Sequence, residues 1–144
     1  MKKLVLASQS PRRKMLLEQV GIPFTVLPAD VDETIDEGIT PVEYVEILAS
    51  RKADFIARKL HADPSVVVLA ADTIVVYRDV ILGKPKDKRE AFETLSVLAG
   101  NWHTVMTGIK LIDIETGAEL THVENTRVKI RPLTKERSEE RRVG

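Results

Sequence analysis

A short strand, a turn and the start of a helix follow one another in ten consecutive residues, Leu4-Val5-Leu6-Ala7-Ser8-Gln9-Ser10-Pro11-Arg12-Arg13. The apolar residues predict a buried strand. Ser10 is a favoured helix N-cap, and Pro11 suits the first helical position because it has no N–H to leave unpaired. Arg12 and Arg13 then fall in the first helical turn, where the helix dipole disfavours a cation. Backbone N–H groups and two guanidinium groups would together bind a phosphate. The alternative is an ordinary strand-turn-helix corner with two solvated arginines.

Length and composition narrow the class of protein. The 144 residues predict one domain with a substantial hydrophobic core. Lys and Arg together number 22, as do Asp and Glu, so no overall positive charge would hold nucleic acid and any anion site must be local. The absence of cysteine excludes disulfides and thiolate chemistry. The first apolar run is too short for a signal peptide or a membrane span, so we expect a soluble, cytoplasmic protein.

Helical and extended patterns alternate in the first third of the chain. Residues 11–20 predict a helix that ends at Gly21. Its expected inner residues are Met15, Leu16, Leu17 and Val20. Residues 24–27 predict a second strand, and the acidic stretch 29–38 on its own predicts a solvated loop.

A second helix carries a lysine on its apolar face. Thr40-Pro41-Val42-Glu43 is a capping box with proline at the first helical position, and the helix runs to about Leu60. Its inner stripe comprises Tyr44, Leu48, Phe55 and Ile56. Lys52 falls on this stripe. Its aliphatic stem either covers the edge of the core, which periodicity alone favours, or its ammonium points into a site.

An aspartate interrupts the most apolar stretch of the chain. Residues 66–71 form a continuous apolar run, which is typical of a central strand covered on both faces, and residues 73–77 resume the strand pattern. Between them, Asp72 would be costly to bury unless it is paired, hydrogen-bonded or metal-bound. Asp72 is therefore the sharpest functional candidate. The alternative is an aspartate satisfied by backbone N–H groups at a β-bulge.

The remaining elements predict a hairpin, a helix and a second, longer hairpin. Arg78-Asp79 predicts a turn that leads back through residues 80–82, and Asp87 caps a third helix. Residues 102–114 and 119–130 predict two long antiparallel strands.

The three histidines lie in ordinary polar contexts. No spacing of histidines and carboxylates matches a zinc site, and a Ser-His-Asp triad has little support. We expect surface or sheet-edge positions for His61, His103 and His122.

Several cations together with one deep carboxylate suggest phosphate chemistry. Lys84 lies between Gly83 and Pro85, which restrict the backbone and favour a defined direction for its side chain. With the two arginines, Lys52 and Asp72, it suits a polyphosphate substrate that is attacked by water with the help of a metal. The segment is not a P-loop, because it lacks the preceding glycine spacing and the following Ser or Thr.

Five motifs, in order, carry a resemblance to a known family. They are Ser8-Gln9-Ser10-Pro11-Arg12-Arg13, Asp32-Glu33, Arg51-Lys52-Ala53, Ala71-Asp72-Thr73 and Gly83-Lys84-Pro85. They resemble the ordered motifs of the Maf nucleotide pyrophosphatases over residues 4–134. The stretch from Gly100 to Gly108, with His103 and Thr107-Gly108, is also similar to that family.

The resemblance implies an activity and a fold. The implied reaction is hydrolysis of a nucleoside triphosphate to the monophosphate and pyrophosphate with a divalent metal cation, Mg²⁺ or Mn²⁺. Arg12 and Thr73 are similar to the branch of the family that prefers dTTP and UTP. The implied fold is α/β, an elongated, mixed, twisted sheet flanked by helices, of the Maf and inosine triphosphatase type. The family is associated with septum formation and is usually dimeric, which implies a homodimer.

The resemblance also implies a role for each matched residue. Asp72 would be the general base that activates water. The phosphates would be held by Arg12, Arg13, Lys52 and Lys84, with hydrogen bonds from Ser8 and Ser10. Glu33 would join Asp72 at the metal or water site, and Thr73 would line the substrate site.

The similarity stops near Glu136, before an Ile-Gln-Gly loop whose glutamine helps to choose the base in the family. We therefore expect residues 1–136 to form a single Maf-like domain that is incomplete at its C-terminus. Residues 135–142 contain no apolar residue, so we expect residues 137–144 to form a disordered or non-native tail. The alternative function is a non-catalytic nucleotide-binding or cell-division regulatory protein that uses the same pocket.

Overall fold

Strands and helices alternate through most of the described part of the chain. A computed structural model of the protein describes residues 2–8, 10–83 and 86–131. The elements in chain order are β1 (Lys3–Ala7), α1 (Pro11–Val20), β2 (Phe24–Leu27), α2 (Pro41–Lys59), β3 (Val66–Tyr77), β4 (Val80–Leu82), α3 (Lys88–Leu98), β5 (Trp102–Asp113) and β6 (Glu119–Lys129). The strands form one mixed sheet in the order β2-β1-β3-β5-β6, with β4 beside β3. The predicted α/β class is confirmed.

The register of the parallel strands determines which residues of β3 lie beyond the end of β1. β1 pairs in parallel with both β2 and β3, and its last residue, Ala7, lies opposite Ala70 of β3. Asp72 and Thr73 therefore lie two and three residues beyond the end of β1. In open sheets with parallel strands, ligands bind at such carboxyl ends.

The two hairpins form as the sequence predicts. Arg78 and Asp79 have φ values of 50° and 63° in the turn between β3 and the antiparallel β4, as a two-residue hairpin turn requires. β5 and β6 are neighbours in the sheet. Their connecting turn is far shorter than the crossover that parallel strands need, so they run antiparallel.

The described residues divide into two compact units. The first lies within Met1–Thr73 and Thr107–Glu124, and the second lies within Ile74–Met106 and Asn125–Gly144. The main buried apolar cluster belongs to the first unit. Its members are Val5, Ala7, Ala29, Ala53, Ile56, Val66, Val68, Ala70 and Ile112.

Helix α1 has the predicted bounds but buries a different face. It ends at Gly21, whose φ of 81° is the left-handed conformation expected of a helix-terminating glycine. Met15, Leu16 and Val20, which were predicted to face inward, are 58%, 54% and 68% exposed. Leu17 is partly buried, as predicted, and Arg13, which was not predicted to face inward, is partly buried as well. These lie four residues apart on one face of the helix, so the packing of α1 turns one arginine inward.

Helices α2 and α3 begin at their predicted caps. The Thr40 hydroxyl accepts a hydrogen bond from the Glu43 backbone N–H at 3.2 Å, and a carboxylate oxygen of Asp87 accepts one from the Glu90 N–H at 2.8 Å. The end of α2 at Lys59, with Leu60 as its C-cap, also agrees with the prediction. Within the described ranges, no helix is long and apolar enough to cross a membrane.

Strand β5 approaches helix α2 through a glycine. A Cβ atom added to Gly108 would lie 2.6 Å from the carbonyl oxygen of Val45 and 2.7 Å from its carbonyl carbon. Both atoms belong to the backbone of α2, so only a residue without a side chain fits here. Gly108 therefore sets the distance between β5 and α2.

One of the three histidines is buried, contrary to the prediction. His103 on β5 is 7% exposed, and its Nδ1 has no hydrogen-bond partner among the described residues. Its neighbour Trp102 is 53% exposed. This contrast follows from the alternation of side chains along a strand. His61 and His122 are exposed, as expected.

Candidate active site

The turn between β1 and α1 is organised by a buried serine. Ser8 is 5% exposed, and its Oγ accepts a hydrogen bond from the backbone N–H of Ser10 at 3.0 Å. Ser10 occupies the predicted N-cap position of α1, but its side chain makes no capping hydrogen bond. The first turn of α1 therefore lacks the side-chain cap seen in α2 and α3.

Only one of the two arginines in this turn points toward β3. The Nη2 of Arg13 donates a hydrogen bond to the Oγ1 of Thr73 at 2.9 Å. Burial lowers the pKa of Arg13, and the nearby negative charge of Asp72 partly offsets this effect. Arg12 is exposed. The two arginines therefore differ in their surroundings although they are adjacent in sequence.

Asp72 is buried inside strand β3 and paired with a lysine from α2. Its Oδ1 lies 3.0 Å from the Nζ of Lys52, which is also 3.4 Å from the carbonyl oxygen of Ala71. The side chains of Lys52 and Asp72 are only 15% and 12% exposed. Lys52 thus points its ammonium into the site instead of covering the core edge. Asp72 is held by this ion pair, so the alternative of a bulge aspartate satisfied by backbone N–H groups is wrong.

The second carboxylate oxygen of Asp72 has different surroundings from the first. Oδ2 is buried and has no hydrogen-bond partner among the described residues. A buried carboxylate oxygen is normally satisfied, so an unpaired one is a sign of a functional position. Because Lys52 fixes Oδ1, the direction in which Oδ2 points is also fixed.

The acidic loop after β2 is held in place by helix α2. The Nη1 of Arg51 donates to the carbonyl oxygens of Asp32 and Thr34 at 2.8 Å and 2.7 Å. Hydrogen bonds from Thr34, and then the charge of Arg51, lower the pKa of Asp32. These contacts flank the exposed Glu33 on both sides. The loop is therefore braced, unlike the freely solvated stretch that its composition alone predicts.

Tyr44 on α2 is influenced by two of the carboxylates predicted for the site. Burial, followed by the negative charges of Asp72 and Glu33, raises the pKa of Tyr44 above its ordinary value. Tyr44 lies two helical turns before Lys52 on the same stripe of α2. We predicted it only as an inner-stripe residue. Its position on the same helical stripe as Lys52 is the sequence feature that could have indicated that it lies near the site.

A threonine from β5 contacts Thr73, the residue that accepts the hydrogen bond from Arg13. The Oγ1 of Thr107 lies 3.0 Å from the Oγ1 of Thr73, and either hydroxyl can be the donor. The sequence motif Thr107-Gly108 drew attention to this residue but assigned it no role. Lys84, predicted as a phosphate ligand, lies outside the described residues.

The carboxylates present fit a magnesium-type ion, although they do not form a complete cage. No group of three or more His, Cys, Asp or Glu side chains within the described residues could hold a metal ion. Mg²⁺ is usually bound by one or two carboxylates together with substrate phosphates and water. The Oδ2 of Asp72, which has no hydrogen-bond partner among the described residues, provides one such carboxylate oxygen.

Solved structures with the same fold include two from bacteria. The Ham1 protein of Staphylococcus aureus superimposes with a TM-score of 0.58 at 18% identity, covering 89% of this chain and 71% of that one. A nucleoside-triphosphatase / dITP/XTP pyrophosphatase of Mycobacterium abscessus gives a TM-score of 0.55 at 16% identity, covering 88% and 73%. At these identities the likeness concerns the fold alone, and it confirms the predicted inosine triphosphatase type.

Sequence comparison gives closer relatives. A dTTP/UTP pyrophosphatase of Halalkalibacterium halodurans is 48% identical over 134 residues, which are 93% of this chain and 68% of that protein. A dTTP/UTP pyrophosphatase of Acetivibrio thermocellus is 45% identical over 138 residues, which are 93% and 68%. The model of the family described as Maf-like protein matches residues 3–141. The chain therefore belongs to the Maf-like protein family.

Proposed function

We propose that this protein is a nucleoside triphosphate pyrophosphatase that hydrolyses dTTP and UTP to the monophosphate and pyrophosphate. The proposal is supported above all by Asp72, because its Oδ2 is buried without a hydrogen-bond partner in the described part of the chain while Lys52 holds its Oδ1 at 3.0 Å. Relatives that are 42% to 48% identical bear the name dTTP/UTP pyrophosphatase, which supports the choice of substrate.

In the proposed reaction, Asp72 acts as a general base. Its Oδ2 accepts a proton from a water molecule as the water oxygen bonds to phosphorus. With attack at the α-phosphorus, the bond from this phosphorus to the bridging oxygen breaks. Pyrophosphate then departs with that oxygen and the electron pair. Lys52 keeps the carboxylate oriented for this transfer. A positioned general base contributes about 10²- to 10⁴-fold to a rate.

The positive groups around Asp72 would bind the triphosphate. Arg13 points toward β3 beside Asp72, and the uncapped first turn of α1 offers backbone N–H groups to an anion. We propose that Arg12 contributes from its exposed position and that Ser8 and Ser10 add hydrogen bonds. Lys84 is proposed as a further phosphate ligand on its sequence motif. Thr73 lines the same site through its contact with Arg13.

Asp72 and Glu33 are the residues that would hold a divalent cation, Mg²⁺ or Mn²⁺, together with the substrate phosphates. When bound, such a cation neutralises phosphate charge and makes phosphorus more open to attack by water. Arg51 would support this arrangement, because its two hydrogen bonds fix the backbone on each side of Glu33.

The decisive experiment is the replacement Asp72→Asn, which keeps the shape of the side chain and removes the base. Protein would be incubated with dTTP or UTP and Mg²⁺, and pyrophosphate, orthophosphate and monophosphate would be quantified. We expect the variant to lose at least about 100-fold in kcat while it still binds nucleotide in calorimetry. Asp79→Asn is the matched control, because Asp79 is exposed in a turn with φ of 63°, which asparagine tolerates.

Three outcomes would overturn parts of this proposal. Orthophosphate as the product would place the cut at the γ-phosphate. Full turnover by the Asp72→Asn variant would exclude Asp72 as the base. Tight nucleotide binding by the wild type without any product would favour a nucleotide-binding or cell-division regulatory role.

The predicted homodimer and cytoplasmic location remain predictions. Sedimentation analysis of the purified protein and cell fractionation would test them.

A further inference from the structure

Three side chains form a continuous hydrogen-bonded chain between α1, β3 and β5. The guanidinium of Arg13 donates to the Oγ1 of Thr73 at 2.9 Å, and that hydroxyl lies 3.0 Å from the Oγ1 of Thr107. Thr73 is exposed, whereas Arg13 and Thr107 are partly buried. All three residues belong to the first compact unit. The more protected hydroxyl thus lies at the end of the chain farthest from Arg13.

We propose that Thr107 is a positioning residue that orients Arg13 toward the substrate phosphates through the hydroxyl of Thr73. This inference rests on the proposed function. A threonine hydroxyl has one proton and two lone pairs. With the Arg13 N–H occupying one lone pair of Thr73, its hydroxyl is left to bond with Thr107 or with water. Thr107 therefore selects one rotamer of an exposed side chain that would otherwise turn toward solvent.

The position of Thr107 is itself determined by the adjacent residue. Gly108 is pressed against the backbone of α2, where an added Cβ would lie 2.6 Å from the carbonyl oxygen of Val45. The backbone of β5 is therefore fixed at this point. Successive side chains on a strand face opposite ways, so Gly108 meets α2 while Thr107 faces Thr73 and the arginine of α1.

The same alternation operates on β3. Asp72 contacts Lys52 of α2, and the next residue, Thr73, contacts Arg13 of α1. Two consecutive residues thus connect the strand to cations from two different helices. A shift of Thr73 would move Arg13 without moving Lys52, so the effect of Thr107 should appear in phosphate binding.

The test compares Thr107→Val, which removes the hydroxyl and keeps the shape, with Thr107→Ser, which keeps the hydroxyl. With dTTP and Mg²⁺ as probes, we expect Thr107→Val to lower kcat/KM by about 3- to 10-fold, mostly through KM, with kcat and the melting midpoint nearly unchanged. Thr107→Ser should restore most of the loss. Thr121→Val, at an exposed strand position, is the matched control.

A double-mutant cycle distinguishes positioning from a general structural effect. In an Arg13→Ala background, Thr107→Val should cause no further loss of kcat/KM, because the residue that it orients is absent. An equal loss in both backgrounds, an unchanged KM in Thr107→Val, or a Thr107→Ser variant as impaired as Thr107→Val would overturn the inference.

The two proposals can fail separately. Wild-type turnover without coupling between Thr107 and Arg13 would refute only the positioning role. If the wild type releases no pyrophosphate, the proposed reaction fails. Calorimetric dTTP binding by the four proteins of the cycle (wild type, Thr107→Val, Arg13→Ala and the double variant) then tests the coupling. Absence of both turnover and binding would overturn both.

Discussion

Replacing Gly108 by alanine should disturb the site from a position that touches no substrate. The added Cβ would lie 2.6 Å from the Val45 carbonyl oxygen, about 0.8 Å less than the 3.4 Å at which ordinary contacts begin. The obstacle is backbone in the first turns of α2, so no change of rotamer can relieve it. Either β5 or α2 must move.

The displacement that the added Cβ requires affects both the stability of the fold and the Lys52–Asp72 contact. Overpacking of this kind costs about 1–3 kcal/mol of the free energy of unfolding. In a chain of this length, each kcal/mol corresponds to roughly 4 °C in the melting midpoint. Helix α2 also carries Lys52, whose Nζ lies 3.0 Å from Asp72 Oδ1. A 0.8 Å shift of the helix would lengthen this contact beyond hydrogen-bonding range unless the lysine follows.

The assay combines thermal unfolding with initial rates of pyrophosphate release measured well below the melting midpoint. We expect Gly108→Ala to melt about 4–12 °C lower and to lose activity under conditions in which the protein is still folded. Gly83→Ala is the control for the melting midpoint alone, because an added Cβ there meets no heavy atom of the described residues within 4 Å. Shortening the neighbouring side chain by Val45→Ala should not rescue the variant. Rescue, or an unchanged melting midpoint, would refute the reasoning.

Two further predictions concern the acidic loop and acid stability. Arg51→Ala should raise the Mg²⁺ concentration for half-maximal activity by about tenfold, because the loop around Glu33 loses its two hydrogen bonds. Arg58→Ala, on the same helix, should leave this Mg²⁺ concentration unchanged. Equal Mg²⁺ requirements in the two variants would contradict the role of Arg51. Hydrogen bonds from Ser65 hold the pKa of Asp63 below its usual 3.8, so this carboxylate stabilises the fold above that pH and the stabilisation disappears as the pH falls further. Asp63→Asn should therefore lower the melting midpoint at pH 7 and flatten its decline as the pH falls below 3.8, and an unchanged decline would disprove the contribution.

Elements with strong local signals were predicted closely. The bounds of α1 and β2 agree with the prediction, and α2 begins at the predicted capping box. Each signal lies within a few neighbouring residues, since a proline, a cap and a terminal glycine act on the backbone next to them. The predicted interruption at Asp72 was too cautious, because β3 continues through it as one strand.

The inner face of α1 was predicted wrongly for a physical reason. Its apolar residues suggested a buried stripe, but Met15, Leu16 and Val20 are exposed. Leu17 is partly buried, as predicted, and Arg13 is partly buried with it. A short helix with little segregation of apolar residues has no strong preference of its own. Its orientation is then decided by what it contacts, here Thr73 on β3. The burial of His103 was missed for the same reason, because no local sequence feature indicates it.

For the candidate site, too, the sequence predicted some features and the tertiary structure decided others. The sequence alone identified Asp72 as a carboxylate too costly to bury without a partner, and its motifs included Lys52 and Arg13, which the structure brings close to it. It left open whether Lys52 covers the core or enters the site, and it could not assign roles to Tyr44 or Thr107. Tertiary structure decided these points, because the partners are far apart in sequence: Lys52 lies 20 residues from Asp72, Thr107 lies 34 from Thr73, and Arg13 lies 60 from Thr73. Local backbone preferences act over a few residues, whereas the pairing of charges and hydroxyls depends on strand register and helix packing across the whole unit.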